Sequence, residues 1–218
     1  MKTTQKILNA IVLLFTLSPV AYLLLVWGRV PETIITRFNF NEIMVKEQSR
    51  QSLLIATIIV SITAAVVYLL MRNLKKIDPK VKNDTPTSGF NRMGLSVMVF
   101  LVVLNYFIIL SALHSWEISK KVIFIFFGMF LAVLGNYMNN IKPNFFAGIR
   151  LPWTLNDENN WRQTHHLAAK LWFLGGIVLA LISWFLPEAA LKPLFISTMV
   201  LIVLIPCIFS YLLCKSKK

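Results

Sequence analysis

Charged side chains are scarce in this sequence. Asp, Glu, Lys and Arg make up 14% of its 218 residues, whereas 57% of the residues are apolar. An average soluble domain is about 25% charged, so there are too few charges here to cover a soluble surface. The charges lie in short clusters between apolar runs of about 20 residues, the length that crosses a hydrocarbon core about 30 Å thick. The sequence therefore predicts an all-α, polytopic integral membrane helical bundle.

Acidic residues are scarcer still, with 9 Asp and Glu against 22 Lys and Arg, which gives a net charge of +13. Such a charge can indicate nucleic-acid binding when the basic residues share one soluble face. Here they flank the apolar segments, where Lys and Arg anchor helix ends and set orientation. We therefore predict the lipid bilayer as a partner and no direct contact with nucleic acid.

Cysteine and histidine are also few. Cys207 and Cys214 are seven residues apart in the last apolar run, two helical turns apart and too distant for a disulfide. His165 and His166 are adjacent, so on a helix their side chains diverge by about 100°, and only His114 remains elsewhere. We predict no metal site and no cofactor.

Six apolar segments are long enough to be spans. The first follows two lysines, as a signal peptide would, but it is longer than a typical signal core and lacks a small-residue cleavage site. We interpret it as a retained span. The predicted spans are 7–27, 53–71, 93–113, 122–140, 167–186 and 194–214.

The distribution of Lys and Arg predicts the orientation. The N-terminus, loop 72–92, loop 141–166 and the C-terminal tail together carry fourteen, whereas segment 28–52, loop 114–121 and loop 187–193 carry seven. Because cytoplasmic loops are enriched in Lys and Arg, both termini are predicted to lie in the cytoplasm.

Three parts follow from this arrangement. Residues 1–71 form an N-terminal helical hairpin with an extracytoplasmic segment, 28–52. Residues 72–92 form a basic, turn-rich cytoplasmic linker, which either lies solvated against anionic lipid or docks a cytoplasmic partner. Residues 93–218 form a four-span domain with a cytoplasmic loop, 141–166.

Few polar residues lie within the spans. Asn105 is expected to join helices by hydrogen bonds, and Gly128 and Gly135 permit another helix to approach closely. No Asp, Glu or Arg lies near a predicted midplane, which argues against a proton-coupled pump or a channel with a charged ring.

Loop 141–166 is rich in residues with specific conformational demands. Gly148 permits a turn, and Pro152 enforces an extended approach. Thr154 and Asp157 have the spacing of a capping box, which predicts a helix that begins near Leu155 and continues into span five. On that helix Asp157, Trp161 and His165 share one face, and Glu158, Arg162 and His166 share the next.

Two interpretations of this loop remain open. In the first, its tryptophans anchor the membrane interface, Glu158 pairs with Arg162 on a wet surface, and the loop is purely structural. In the second, the loop binds a partner. We expect the Arg150 guanidinium to be held by Asp157, by Glu158 or by carbonyl groups at the end of span four.

The same loop resembles the signature of the SdpI/YfhL family of bacterial membrane proteins, with Leu151 at a position where Thr is usual. The resemblance implies that the matching positions are the structural and functional motif. These are Asn144, Gly148, Arg150, Pro152, Trp153, Thr154, Trp161, Thr164 and His165.

Segment 28–52 is similar to a small domain often found ahead of this motif, in degenerate form, because Ile35 and Arg37 replace the usual Pro and His and no Gly follows. Its apolar residues can contact lipid or a partner, or the loop can pack back onto the spans. The residues expected to contact a partner are Pro31, Ile34, Phe38 and Phe40.

The family resemblance implies a multi-pass protein of the bacterial cell membrane that gives immunity to a secreted antimicrobial peptide toxin, without enzymatic chemistry and with no catalytic residues. It also implies signalling through a cytoplasmic transcriptional repressor in some members. Two alternatives remain: an exporter of a small amphiphile, for which Asn105 and Asn136 supply polarity, and a membrane enzyme. The enzyme's candidate groups are Arg150, Asp157, Glu158 and His165.

Overall fold

A computed structural model describes residues 2–36, 46–82, 85–114 and 119–216. Long apolar helices dominate it. The helices are α1 (Lys2–Leu25), α2 (Arg50–Arg72), α3 (Leu74–Ile77), α4 (Ser88–His114), α5 (Lys120–Met138), α6 (Pro152–Asn156), α7 (Glu158–Phe185) and α8 (Glu188–Lys215).

Within the described residues, five helices are long and apolar enough to cross a membrane: α2, α4, α5, α7 and α8. The described apolar part of α1, Asn9–Leu25, is shorter. The prediction of an all-α, polytopic membrane protein is confirmed. The count of six spans and the inward orientation of both termini stay predictions.

A small β-hairpin interrupts the helices and was not predicted. Strand β1 (Thr33–Thr36) pairs antiparallel with β2 (Lys46–Ser49), with Thr33 opposite Ser49 and Thr36 opposite Lys46. β1 is built entirely from the β-branched residues Thr and Ile, which favour extended backbone. Four residues are too few for a periodic pattern to be recognised in sequence.

The contacts divide the chain into two units. The first contains Met1–Leu69 and Val97–Ile118. Asn105 is buried in it and donates through Nδ2 to the Thr57 carbonyl oxygen at 3.0 Å and to Ser61 Oγ at 3.2 Å. Asn105 therefore joins α4 to α2, as expected.

The second unit contains Leu70–Ser96 and Ser119–Lys218. In it α5 and α7 approach so closely that a Cβ on Gly128 would meet the backbone of Gly176 and Ala180, and one on Gly135 would meet the backbone of Phe173. The predicted close approach at these two glycines is confirmed. The domain boundaries at 72 and 93 stay predictions, and the contacts group the chain differently.

The single helix expected from Leu155 into span five is wrong. Helix α6 ends at Asn156 and α7 begins at Glu158, with Asp157 between them in extended conformation, φ −130° and ψ 108°. The carboxylate of Asp157 accepts the backbone N–H groups of Asn159 and Asn160 at 2.9 and 3.2 Å. Asp157 is thus the N-cap of α7, and its extended backbone separates the two helices.

Candidate functional site

The motif loop, residues 141–151, is organised around the buried side chain of Asn144. Its Oδ1 accepts the backbone N–H groups of Phe146 and Ala147 at 2.8 and 2.6 Å. Its Nδ2 donates to the carbonyl oxygens of Lys142 and Ala147 at 2.8 and 3.0 Å. One amide side chain therefore replaces the backbone pairing that this irregular segment lacks.

Gly148 brings the loop against α7. Its φ is +104°, a conformation that L side chains rarely adopt. A Cβ at this position would collide with the imidazole of His165. Both the backbone conformation and the available space therefore require glycine here.

His165 uses both of its ring nitrogens inside this packing. Nε2 accepts the backbone N–H of Ile149 at 3.0 Å, so the proton lies on Nδ1, which donates to the Trp161 carbonyl oxygen at 2.9 Å. The imidazole is 1% exposed. These bonds require the neutral Nδ1–H tautomer, because a second proton would remove the acceptor for Ile149.

Trp161 completes the contact between the loop and α7. Its indole stacks on the imidazole of His165 with centroids 4.0 Å apart and planes at 17°. Its Nε1 donates to the carbonyl oxygen of Ile141 at 2.8 Å, and the side chain is buried. Of the predicted face of Asp157, Trp161 and His165, the last two do lie together on α7, whereas Asp157 precedes the helix as its N-cap.

Thr154 has a different role from the predicted one. It lies inside α6, where its Oγ1 accepts the backbone N–H of Leu151 at 2.9 Å and lies 2.9 Å from the carbonyl oxygens of Ile149 and Leu151. The predicted capping box with Asp157 is wrong because α6 and α7 are separate helices. Pro152 is the first residue of α6, the position where its missing N–H is not needed.

Arg150 is exposed, and its guanidinium donates to the carbonyl oxygen of Phe145. A carbonyl partner was one of the predicted alternatives, but it lies inside the loop rather than at the end of span four. Arg162 donates to Asn159 Oδ1 at 3.2 Å. The guanidinium of Arg150 thus joins two parts of the motif loop.

A buried network of polar side chains between α6, α7 and α8 includes residues that are not part of the motif. Asn160 Nδ2 donates to the Ser210 carbonyl oxygen at 2.9 Å, and Asn160 Oδ1 accepts from Ser210 Oγ and Thr164 Oγ1 at 2.9 and 3.0 Å. Trp153 Nε1 donates to Ser210 Oγ at 2.7 Å. Four side chains thereby connect α6, α7 and α8, and each of these polar groups is satisfied.

Sequence reasoning missed Asn160 and Ser210 for different reasons. Asn160 lies in loop 141–166 but is not one of the motif positions. Its place four residues before Thr164, on the same helix face, was the signal that could have identified it. Ser210 is a single hydroxyl in an apolar run 50 residues away. Nothing local distinguishes it from a serine that bonds its own helix.

Asp78 was also missed, because it lies in the predicted linker. Its side chain is 2% exposed. Oδ2 accepts the backbone N–H of Phe145 at 2.6 Å, and Oδ1 accepts that of Lys80 at 2.8 Å. Asp78 therefore fastens the segment after α2 to the motif loop. Leu74 and Val81 beside it are buried too, so this part of the linker is packed.

The geometry suits a rigid clamp better than acid–base chemistry. Both ring nitrogens of His165 and the Oδ1 of Asp157 are hydrogen-bonded to backbone groups, and the side chain of Glu158 is exposed. In the described part of the chain, no three His, Cys, Asp or Glu side chains are grouped as metal ligands. The loop positions polar atoms for one another rather than toward a common point.

The residues of segment 28–52 that were expected to contact a partner differ in their exposure. Pro31 is exposed, whereas Ile34 is 8% exposed and packs with Val30, Leu23 and Leu53. The side chain of Ile34 is therefore part of the core of the first unit and does not face a partner. Phe38 and Phe40 lie outside the described residues.

Comparison with known proteins points to the same part of the chain. The model of the SdpI/YfhL protein family matches residues 140–210, which contain the motif loop, its Trp161 and His165 contacts and Ser210. Residues 140–210 are thus similar to the SdpI/YfhL family. The resemblance found in the motif is thereby confirmed.

The chain is also similar to the immunity protein SdpI of Bacillus subtilis, with 31% identity over 94 residues. This match covers 43% of the chain and 45% of the relative, so it spans less than half of either protein. No solved structure matches the chain. The apolar helices and the family segment together identify a multi-pass protein of the bacterial membrane.

Proposed function

We propose that this protein is a membrane immunity protein that protects the cell against a secreted antimicrobial peptide toxin without enzymatic chemistry. The observation that carries the proposal is the match of residues 140–210 to the SdpI/YfhL family, together with the similarity to a protein named for immunity. The engagement of His165 and Asp157 in backbone hydrogen bonds supports the non-enzymatic part.

In this proposal the motif loop is the scaffold of the second unit. The Gly148–His165 contact and the Asn160–Ser210 network fix the ends of several helices in one arrangement. A fixed arrangement lowers the entropic cost of binding a partner elsewhere on the protein. The toxin is bound from the extracytoplasmic side, where segment 28–52 supplies apolar contacts.

Signalling is the finer part of the proposal. On the cytoplasmic side, the protein offers a surface to a transcriptional repressor. Binding of a toxin changes the repressor's affinity only if the protein has two arrangements that the toxin binds unequally. The Phe145–Asp78 bond is a candidate for the contact that differs between them.

The test expresses the protein in a bacterium that is sensitive to secreted peptide toxins and measures survival at increasing toxin concentration. We expect Arg150→Lys to impair protection, because a single ammonium cannot reproduce the guanidinium geometry. Lys170→Arg, an exposed exchange of the same two residue types on α7, is the matched control and should protect normally. Full protection by Arg150→Ala at normal abundance would exclude the loop from the function.

A second comparison separates binding from export. Burying one Phe is worth about 1.5–3 kcal/mol, so Phe38→Ala should weaken toxin binding about ten- to a hundredfold. Ile62→Ala, which removes an exposed apolar side chain from α2, should bind normally. Equal toxin binding by Phe38→Ala and wild type, with wild-type protection lost only when an uncoupler is added, would instead favour an exporter.

A further inference from the structure

A basic cleft lies in the segment that follows α2. Residues 75–79, 81 and 82 line an open cleft of about 390 Å³, and three of them are Lys75, Lys76 and Lys82. Among the described residues that line it, Asp78 is the acidic one, and both of its carboxylate oxygens already accept backbone N–H groups. Among the residues that the structure describes around the cleft, the three lysines therefore face no carboxylate that is free of a backbone partner.

Exposed apolar side chains lie beside these cations. Ile77 is 52% exposed, and Phe145 and Phe146, which Asp78 holds nearby, are 45% and 37% exposed. Lys80 Nζ lies 5.7 Å from the centre of the Phe145 ring. Lysines next to exposed aromatic and aliphatic groups are typical of surfaces that lie in the headgroup region of a bilayer.

The position along the chain agrees with such a surface. Helix α2 ends at Arg72, α5 ends at Met138 and α4 begins at Ser88, so the cleft segment and the motif loop both lie within a few residues of a span end. The cleft must therefore lie near the level of the lipid headgroups. A soluble acidic partner would explain the lysines but not the exposed Ile77, Phe145 and Phe146.

We propose that this cleft binds the phosphate headgroup of an anionic phospholipid, with Lys75, Lys76 and Lys82 around the phosphate. Ile77, Phe145 and Phe146 rest among the upper parts of the acyl chains. The bond from Phe145 to Asp78 holds the apolar and basic halves of the site together. Bound lipid thereby stabilises the contact between the linker segment and the motif loop.

The test uses the full chain in nanodiscs of phosphatidylcholine and phosphatidylglycerol in equal amounts. Native mass spectrometry of the released protein gives the ratio of the two lipids that stay bound. Each Lys or Arg near an anionic surface contributes about 1 kcal/mol, or about fivefold. We expect Lys76→Gln with Lys82→Gln to reduce the preference for phosphatidylglycerol about tenfold or more.

Lys170→Gln with Lys215→Gln is the matched control, because it removes the same charge from two exposed lysines outside the cleft. An equal loss of preference in this control, or no loss in the cleft variant, would overturn the proposal. A third arm adds soluble glycerol phosphate to phosphatidylcholine nanodiscs. Binding of this probe as tight as that of the lipid would identify a free phosphate site. Copurification of an acidic protein with the chain, without any lipid preference, would identify a docking site for a protein. Either result overturns lipid binding.

Discussion

The backbone N–H of Ile149 donates to Nε2 of His165 at 3.0 Å, across a gap that only the glycine at position 148 leaves open. This bond connects the motif loop to the first turns of α7. It also explains why a histidine is needed there: the neutral ring must accept a hydrogen bond at one nitrogen and donate a hydrogen bond from the other. Two residues of the motif, Gly148 and His165, thus form one packed contact.

Gly148→Ala should destabilise the protein. The new methyl group meets His165, and a non-glycine residue in left-handed backbone costs about 1–3 kcal/mol before any clash is counted. The measurement is the thermal unfolding midpoint in detergent. Gly28→Ala is the control, because a Cβ at Gly28 meets nothing within 4 Å. A midpoint for Gly148→Ala equal to that of the control would contradict the clamp.

Asp78→Ala should loosen the motif loop without unfolding the helices. It removes the acceptor for the N–H groups of Phe145 and Lys80, and a buried unpaired donor costs about 1–3 kcal/mol. Hydrogen exchange should rise at Phe145 and remain unchanged within α8. Asp157→Ala is the comparison, since it should instead raise exchange at Asn159 and Asn160. Unchanged exchange at Phe145 would show that the bond contributes nothing.

Asn160 and Ser210 should be energetically coupled. They exchange two hydrogen bonds across 50 residues of chain, and such neighbours typically couple by about 0.5–3 kcal/mol. A double-mutant cycle of Asn160→Ala and Ser210→Ala measures this coupling from the free energies of unfolding. The same cycle with Ser197→Ala, an exposed serine that bonds its own helix, should give a coupling near zero. Additive effects in the first cycle would mean that the two side chains are not energetically coupled.

The orientation predicts which residues react with a membrane-impermeant thiol reagent. In a background lacking Cys207 and Cys214, a cysteine at Ser88 should be protected in intact cells and react after lysis. A cysteine at Glu42 should react in intact cells. Ser88 is the exposed first residue of α4, so its reactivity reports the side of the membrane rather than burial. Reaction at Ser88 from outside would reverse the topology.

Sequence reasoning located the helices because hydropathy is summed along the chain and needs no knowledge of neighbours. Each predicted span overlaps one long helix, and the errors fall at the ends, as in α7, which begins nine residues before the predicted span at 167. The motif likewise marked Gly148 and His165 before their contact was visible. The extended Asp157 escaped prediction because Thr154 and Asp157 have a spacing that also fits one continuous helix.

By itself the sequence determined that this chain lies in a membrane, where its helices run and which loop carries the family motif, since all three depend on local composition and spacing. Tertiary structure decided which polar atoms meet. Asp78 with Phe145, Asn160 with Ser210 and Ile34 within the core are pairings between segments far apart in sequence. Hydrogen bonds act over about 3 Å, so the fold must first bring such partners together before their chemistry can be known.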